Sequence, residues 1–194
     1  MNVARYMRLD PITVLAAAPL SKVREVMEEN ALSILLVVSD AGELTGFITK
    51  GALRQVQDWD LPVEAACFEA RFAVSKDDTL EKAALILLEN QLALLPVVDG
   101  QRLVGIITQR DVLFALARGL GIGLKGTRFV ARVTHLGDLY AIMRVLQTNN
   151  AQLVGFMCGN REGEYQDIIL RVREVADKEK LRAELEEALH QAQC

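Results

Sequence analysis

The stretch Gly105-Ile106-Ile107-Thr108-Gln109-Arg110-Asp111 gathers in seven residues most of what this chain offers for chemistry. An apolar run ending on a threonine predicts a strand that passes directly into a helix. A hydroxyl at the strand end and a carboxylate one turn later then lie on one side and can face a single small polar ligand. The Asp111 carboxylate can accept two hydrogen bonds at once, which suits the adjacent 2′ and 3′ hydroxyls of a ribose. A helix N-terminus and the neighbouring Arg110 would favour an attached phosphate. The same Thr-x-x-Asp pattern is also a helix-capping signature, in which Asp111 serves only the first turn. The spacing by itself leaves both readings open.

The chain carries this element twice. Leu20 to Asn30 is rewritten as Leu80 to Asn90, and the same shift of 60 pairs Val14 with Val74, Leu32 with Leu92 and Val37-Val38 with Val97-Val98. The turn Ser39-Asp40-Ala41-Gly42 is one residue longer than Asp99-Gly100-Gln101, and beyond it a shift of 59 pairs Gly46 with Gly105 and Thr49 with Thr108. A slip inside a turn is where an insertion disturbs least. Each unit predicts a short extended piece, Ile12 to Val14 or Phe72 to Val74. A helix follows along Leu20, Val23, Val26 and Met27, or along Leu80, Ala83, Ala84 and Leu87. A hairpin across the Asp/Gly turn and a closing helix capped by Thr49 or Thr108 complete it. Such a repeat is one module built twice, in the order strand, helix, strand, strand, helix. At the position of Asp111 the first copy has Ala52.

Behind the repeats, Gly119 to Gly126 spells Gly-x-Gly-x-x-Gly across Gly121, Gly123 and Gly126. It follows a helix and precedes a strand, the reverse of what phosphate cradling requires, and so predicts a flexible linker. Arg128 to Val133 then alternates, with Phe129, Ala131 and Val133 on one face. Gly137 to Thr148 is helical along Leu139, Ile142, Met143 and Leu146, and Leu153 to Cys158 and Asp167 to Val172 are strands around a charged turn, Asn160 to Glu164. Asp177 to Gln193 predicts an amphipathic helix along Leu181, Leu185 and Leu189. The domain division is 1–58, 59–118, a linker at 119–126, and 127–194, and the fold class is α/β (α+β).

Of 194 residues, 51% are apolar and 25% charged, the profile of a globular protein. A net charge of −4 gives no field to attract nucleic acid or anionic lipid, so a phosphate-bearing partner must be held by local groups. Met1 to Asp10 lacks the apolar run of a secretory signal, and Glu89 interrupts the most apolar region short of the ~18 residues a membrane span needs. Cys67, Cys158 and Cys194 form no Cys-x-x-Cys pair, which argues against a disulfide framework or zinc site and for a cytoplasmic protein. His135 and His190 lack metal-ligand spacing. No grouping of base, nucleophile and oxyanion donor is legible, so neither catalysis nor an obligatory cofactor is expected.

With the repeat, the element order and the motif in place, residues 1–117 resemble the cystathionine-β-synthase (CBS) domain family, two copies of which form a Bateman module. The family's pattern Gly-hydrophobic-x-Thr/Ser-x-x-Asp/Asn is matched by Gly105, Ile106, Thr108 and Asp111; in the first copy Gly46, Phe47 and Thr49 match and Ala52 departs. The resemblance implies a cleft that binds AMP, ADP, ATP or S-adenosylmethionine, with the ribose on Thr108 and Asp111. It implies an adenine along Phe72, Ala73, Val74 and Leu94-Leu95-Pro96, with Pro96 at an edge where a ladder stops. Thr49 would mark the first-copy site, and Lys50, Arg54 and Arg110 are the nearest cations for phosphate. The C-terminal third resembles the ACT domain, a ferredoxin-like unit whose first turn reads Asp-x-Pro-Gly-x-Leu. Here the turn is Thr134-His135-Leu136-Gly137-Asp138-Leu139, with Leu136 at the proline position and Gly137 kept. A CBS pair followed by an ACT-like unit is similar to the acetoin-utilisation regulatory protein family. The resemblance implies a non-catalytic sensor, a homodimer and a regulated protein partner; a nucleotide-independent dimerisation scaffold is the alternative.

Overall fold

A computed structural model of the chain describes residues 1–192, and the chain divides after Leu113 into two compact units. The first unit runs β1 (Arg8–Leu9), β2 (Thr13–Leu15), α1 (Leu20–Glu29), β3 (Ile34–Val38), β4 (Leu44–Thr49) and α2 (Lys50–Leu53). It continues with β5 (Phe68–Glu69), β6 (Val74–Ser75), α3 (Leu80–Glu89), β7 (Leu94–Asp99), β8 (Arg102–Thr108) and the start of α4 (Gln109–Gly119). The strands form two four-stranded sheets of equivalent order, β2-β3-β4-β5 and β6-β7-β8-β1. The helices bury the stripes their spacing predicts: Leu20, Val23 and Met27 on α1, Leu80, Ala83 and Leu87 on α3. Each such leucine contributes about 1.5–3 kcal/mol by leaving water. The closing helices are unequal. α2 is a single turn, whereas α4 runs eleven residues through the good helix formers of Leu113 to Arg118.

The two copies exchange their opening segments. Arg8 and Leu9 pair with Ile106 and Gly105 in the second sheet, while Phe68 and Glu69 pair with Phe47 and Gly46 in the first. Flanking hydrogen bonds repeat at the shift of 60: the Val3 amide donates to the Asp78 carbonyl and the Val63 amide to Ala18, the Leu80 amide to Met1 and the Leu20 amide to Leu61. Val3 and Val63 are both completely buried. The repeat therefore extends upstream to Met1 and Leu61, and each copy's first nine residues complete the other copy's sheet. This accounts for the paired glycines. A Cβ on Gly46 would lie 2.4 Å from the Phe68 carbonyl oxygen, and one on Gly105 would lie 2.7 Å from that of Arg8. No side chain fits where an edge strand passes that close.

The second unit holds the rest of α4, β9 (Thr127–Val133), α5 (Leu136–Thr148), β10 (Gln152–Glu162), β11 (Tyr165–Arg173) and α6 (Lys178–Ala192). Its antiparallel sheet has the order β10-β11-β9. Phe129, Ala131 and Val133 meet Ile142 and Leu146 of α5 and Leu181 of α6 in one core. β10 and β11 outrun the apolar stretches and close on Gly163-Glu164, because the polar residues of the hairpin tip pair with one another and bury nothing. The expected flexible linker is docked instead: Gly121 is buried against the backbone of Val154, and the Ile122 amide donates to the Ala117 carbonyl at 2.8 Å. The Asp177 carboxylate caps α6 through the amides of Glu179 and Lys180. Gln193, the expected end of that helix, and Cys194 lie outside the described residues.

Candidate functional site

β8 ends on Thr108 and α4 begins on the next residue, so the fold itself sets Thr108 beside Asp111. The Thr108 hydroxyl donates to Asp111 Oδ2 at 2.6 Å and the Thr108 amide to the same oxygen at 3.1 Å. The Asp111 amide returns a bond to Thr108 Oγ1 at 3.2 Å, which makes the pair a reciprocal helix cap. A third partner comes from β1. Arg8 Nη2 lies 2.9 Å from Asp111 Oδ1, and Arg8 Nε lies 3.2 and 3.1 Å from Oδ1 and Oδ2. The result is a forked, charge-assisted pair between residues 103 positions apart.

The two ends of this pair sit in different surroundings, the Asp111 side chain 16% exposed and Arg8 55%. Burial pushes the Asp111 carboxyl up, but the bonds from Arg8 and Thr108 together outweigh it and hold the group below the usual carboxylate range. The hydrogen bond to Asp111, and then its charge, raise the Arg8 guanidinium. Asp111 is thus anionic, fixed in direction and engaged at both oxygens.

In the first copy the cap survives without the acid. Thr49 Oγ1 accepts from the Ala52 amide at 3.2 Å. On the exchanged strand β5, Phe68 stands where Arg8 stands on β1, and Phe68 and Ala52 line one depression. Both charges of the Arg8–Asp111 pair have given way to apolar side chains. Phe68 packs against Phe47 with ring centres 5.6 Å apart. Beside this pair opens a cleft of about 370 Å³, walled by Ile34, Leu36, Phe47, Phe68, Leu94 and Pro96, with Phe72 at its margin.

Of the other expected site residues, Leu94 pairs directly with Thr108 and Pro96 with Ile106 across β7 and β8. Phe72, Leu94 and Pro96 belong to that apolar cleft, whose walls do not include Thr108, Arg110 or Asp111. Val74 and Leu95 are buried in the second sheet and Ala73 is half-buried beside them. Pro96 lies just ahead of the start of β6, whose pairing reaches only Val97 and Val98, so its missing amide hydrogen leaves no gap in that ladder. Lys50 and Arg54 line a separate hollow with Trp59 and Arg24, whose guanidinium lies 4.4 Å from the Trp59 ring centre. Arg110 is exposed. Sequence reasoning missed Arg8 and Phe68 and took Phe47 only as a motif position, although extending the shift of 60 upstream sets Arg8 on Phe68.

In the second unit, Leu136 and Gly137 are exposed at the start of α5. The turn works as a capping box: His135 Nδ1 accepts from the Asp138 amide, and Asp138 Oδ2 accepts from the amides of Thr134 at 2.7 Å and His135 at 3.3 Å. Burial pushes the Asp138 carboxyl up, and those amide bonds more than reverse it. The side chain is wholly buried, and among the described residues its Oδ1 has no hydrogen-bond partner. Among the described residues there is no cluster of three His, Cys, Asp or Glu suited to a metal, and no helix is long and apolar enough to cross a membrane.

Two sheets of equivalent order, exchanged edge strands and a Thr-x-x-Asp helix start define a tandem β-α-β-β-α module. Residues 3–57 and 70–118 match the CBS domain, and the chain belongs to that family as a CBS domain pair. It is 32% identical over 105 residues to an inosine-5′-monophosphate dehydrogenase from Methanocaldococcus jannaschii, a match covering 54% of this chain and 21% of that enzyme. The chain thus spans about a fifth of that relative's length. Among solved structures, a CBS domain pair/ACT domain protein from Thermotoga maritima aligns with a TM-score of 0.56 and 28% identity, over 62% of this chain and 99% of that one. CBSX2, solved in complex with AMP, shares the fold with a TM-score of 0.53 and 24% identity, over 59% of this chain and 95% of that one.

Proposed function

We propose that this chain is a non-catalytic sensor in which an adenosine-bearing ligand, AMP, ADP, ATP or S-adenosylmethionine, binds at the β8–α4 junction with its ribose on Thr108 and Asp111. The observation that carries the reading is the state of Asp111: anionic, aimed by Thr108, and paired with a half-exposed guanidinium instead of being sealed in a core. Arg8 and Arg110 bring positive charge to the same helix start for a phosphate. The AMP in the CBSX2 complex supports the ligand class. The domains of the sensor are 1–58 and 59–118, joined through 119–126 to an ACT-like unit at 127–194. The sheet order β10-β11-β9, in which the first and third strands of that unit are neighbours, supports the ferredoxin-like assignment. So does the domain pairing named for the Thermotoga maritima protein. With that order of domains the chain falls beside the acetoin-utilisation regulatory proteins, as a cytoplasmic homodimer whose ligand changes how a protein partner is held.

Thermal shift with AMP, ATP and S-adenosylmethionine tests the reading. At a hundred times its Kd a ligand stabilises the wild type by about 2.7 kcal/mol and leaves Asp111→Ala unmoved. Equal shifts in both proteins, or none in either, contradict it. The second reading, a dimerisation scaffold indifferent to nucleotide, is favoured by the bonds that already occupy both Asp111 oxygens. It predicts no shift with any of the three.

A further inference from the structure

We propose that Arg8 makes the Asp111 site select phosphate-bearing adenosine ligands over neutral or cationic ones; this rests on the ribose reading of Asp111 given above. Arg8 and a ribose diol compete for the same two oxygens, because Arg8 Nη2 and Nε already bond both of them. Binding through the diol therefore releases a guanidinium. That group cannot leave the site with its strand. The backbone of Arg8 is paired opposite Ile106, Leu9 opposite Gly105, and the segment is anchored upstream by the buried Val3. Only the half-exposed side chain turns, so its charge stays beside the ligand.

What the ligand offers that charge then decides the exchange. A phosphate offers two anionic oxygens spaced to meet the planar fork of the guanidinium and takes over the two-pronged bonding that Asp111 gives up, so the number of ion pairs is conserved. Neutral adenosine offers no anion, and one ion pair is lost on binding. S-Adenosylmethionine brings a sulfonium and an ammonium next to the freed guanidinium, a like-charge arrangement that its single carboxylate must offset. The first copy supplies an independent sign that the two charges work as a unit. At the equivalent positions neither remains, Ala52 replacing the acid and Phe68 the base, while the threonine cap that Asp111 also serves is kept. β5 is held by the same backbone pairing with no such charges, so an edge strand does not need the pair to stay in its sheet.

Titration calorimetry of the full chain with AMP, adenosine and S-adenosylmethionine, on wild type, Arg8→Ala and Arg8→Gln, tests this. The wild type is expected to bind AMP about tenfold or more tightly than the other two, and the arginine variants to bring the ratios to within about threefold, AMP weakening while adenosine tightens. Arg8→Gln removes the charge but keeps the aliphatic stem and an N–H donor, so it preserves the comparison if Arg8→Ala does not fold. Unchanged ratios in a folded variant overturn the proposal and leave Arg8 as a tie for β1. Absence of binding by every ligand to every protein overturns the ribose reading itself, and the role of Arg8 with it.

Discussion

The two halves of the CBS pair share sheet order, exchanged edge strands, a glycine under each edge and a threonine at each closing helix, yet one faces Asp111 with Arg8 and the other Ala52 with Phe68. Scaffold and site chemistry are thus separable in this fold. The backbone features recur because both sheets need them: without a glycine at 46 or 105 the edge strand has no room. The charged pair is present in one half alone. In the other, Ala52 and Phe68 line a depression with no such pair, and Phe68 packs on Phe47.

The largest expected effect that would break this comparison is on ligand binding. Asp111→Ala should abolish the nucleotide-induced stabilisation of about 2.7 kcal/mol at a hundred times Kd, whereas Ala52→Ser, in the half without the acid, should leave it intact; thermal shift reads both. Next come the shared glycines. Gly46→Ala and Gly105→Ala should each destabilise by about 1–3 kcal/mol in urea denaturation, since a Cβ meets backbone oxygen in both. The loss should be greater for Gly46, where the approach is 2.4 Å against 2.7 Å. Equal stability of either variant and wild type would deny the close approach.

A transplant sharpens the contrast further. Ala52→Asp alone sets a carboxylate beside Phe68, while Ala52→Asp with Phe68→Arg rebuilds the pair, and a double-mutant cycle should return a favourable coupling of about 0.5–1 kcal/mol. No coupling would mean that the two positions do not face one another. The smallest effect is that of pH. The Asp111 carboxyl is held below its unfolded value near 3.9, so the stability it adds is fully present above about pH 4 and is lost as pH falls through the depressed folded value. Because Arg8 is half-exposed, that amount is about 1 kcal/mol or less. The stability gap between wild type and Asp111→Asn should narrow from pH 6 to pH 2, with Asp78 and Asp138, also held low, cancelling in the difference. A gap that widens on acidification would contradict the sign.

The parts of the fold that were legible are those whose signal is local. α1 and α3 follow from apolar spacing within ten residues, β9 from its alternation, and the helix starts from Thr49 and Thr108. β1 and β5 were not read as strands, because two residues carry no alternation and their partners lie far along the chain. Yet Val3 and Val63, both fully buried, hold the shift of 60 and were the available clue. The site was half legible. Thr108 and Asp111 announced themselves by spacing, but Arg8 meets Asp111 only because the opening segment crosses to the second sheet, a fact of topology. Leu94 and Pro96, expected to take the adenine, do pair with Thr108 and Ile106, and with Phe72 they also wall the cleft of Phe47 and Phe68. Asp138, inside the altered turn, is legible only as the carboxylate three residues past His135 that closes the cap of α5.

The claim that one half of the pair is equipped and the other is not is tested most directly by the stoichiometry of AMP binding to the full chain in titration calorimetry. The proposed sensor function predicts one AMP per chain in wild type and none in Asp111→Ala. Two equivalent sites per chain, or undiminished binding by Asp111→Ala, would contradict it.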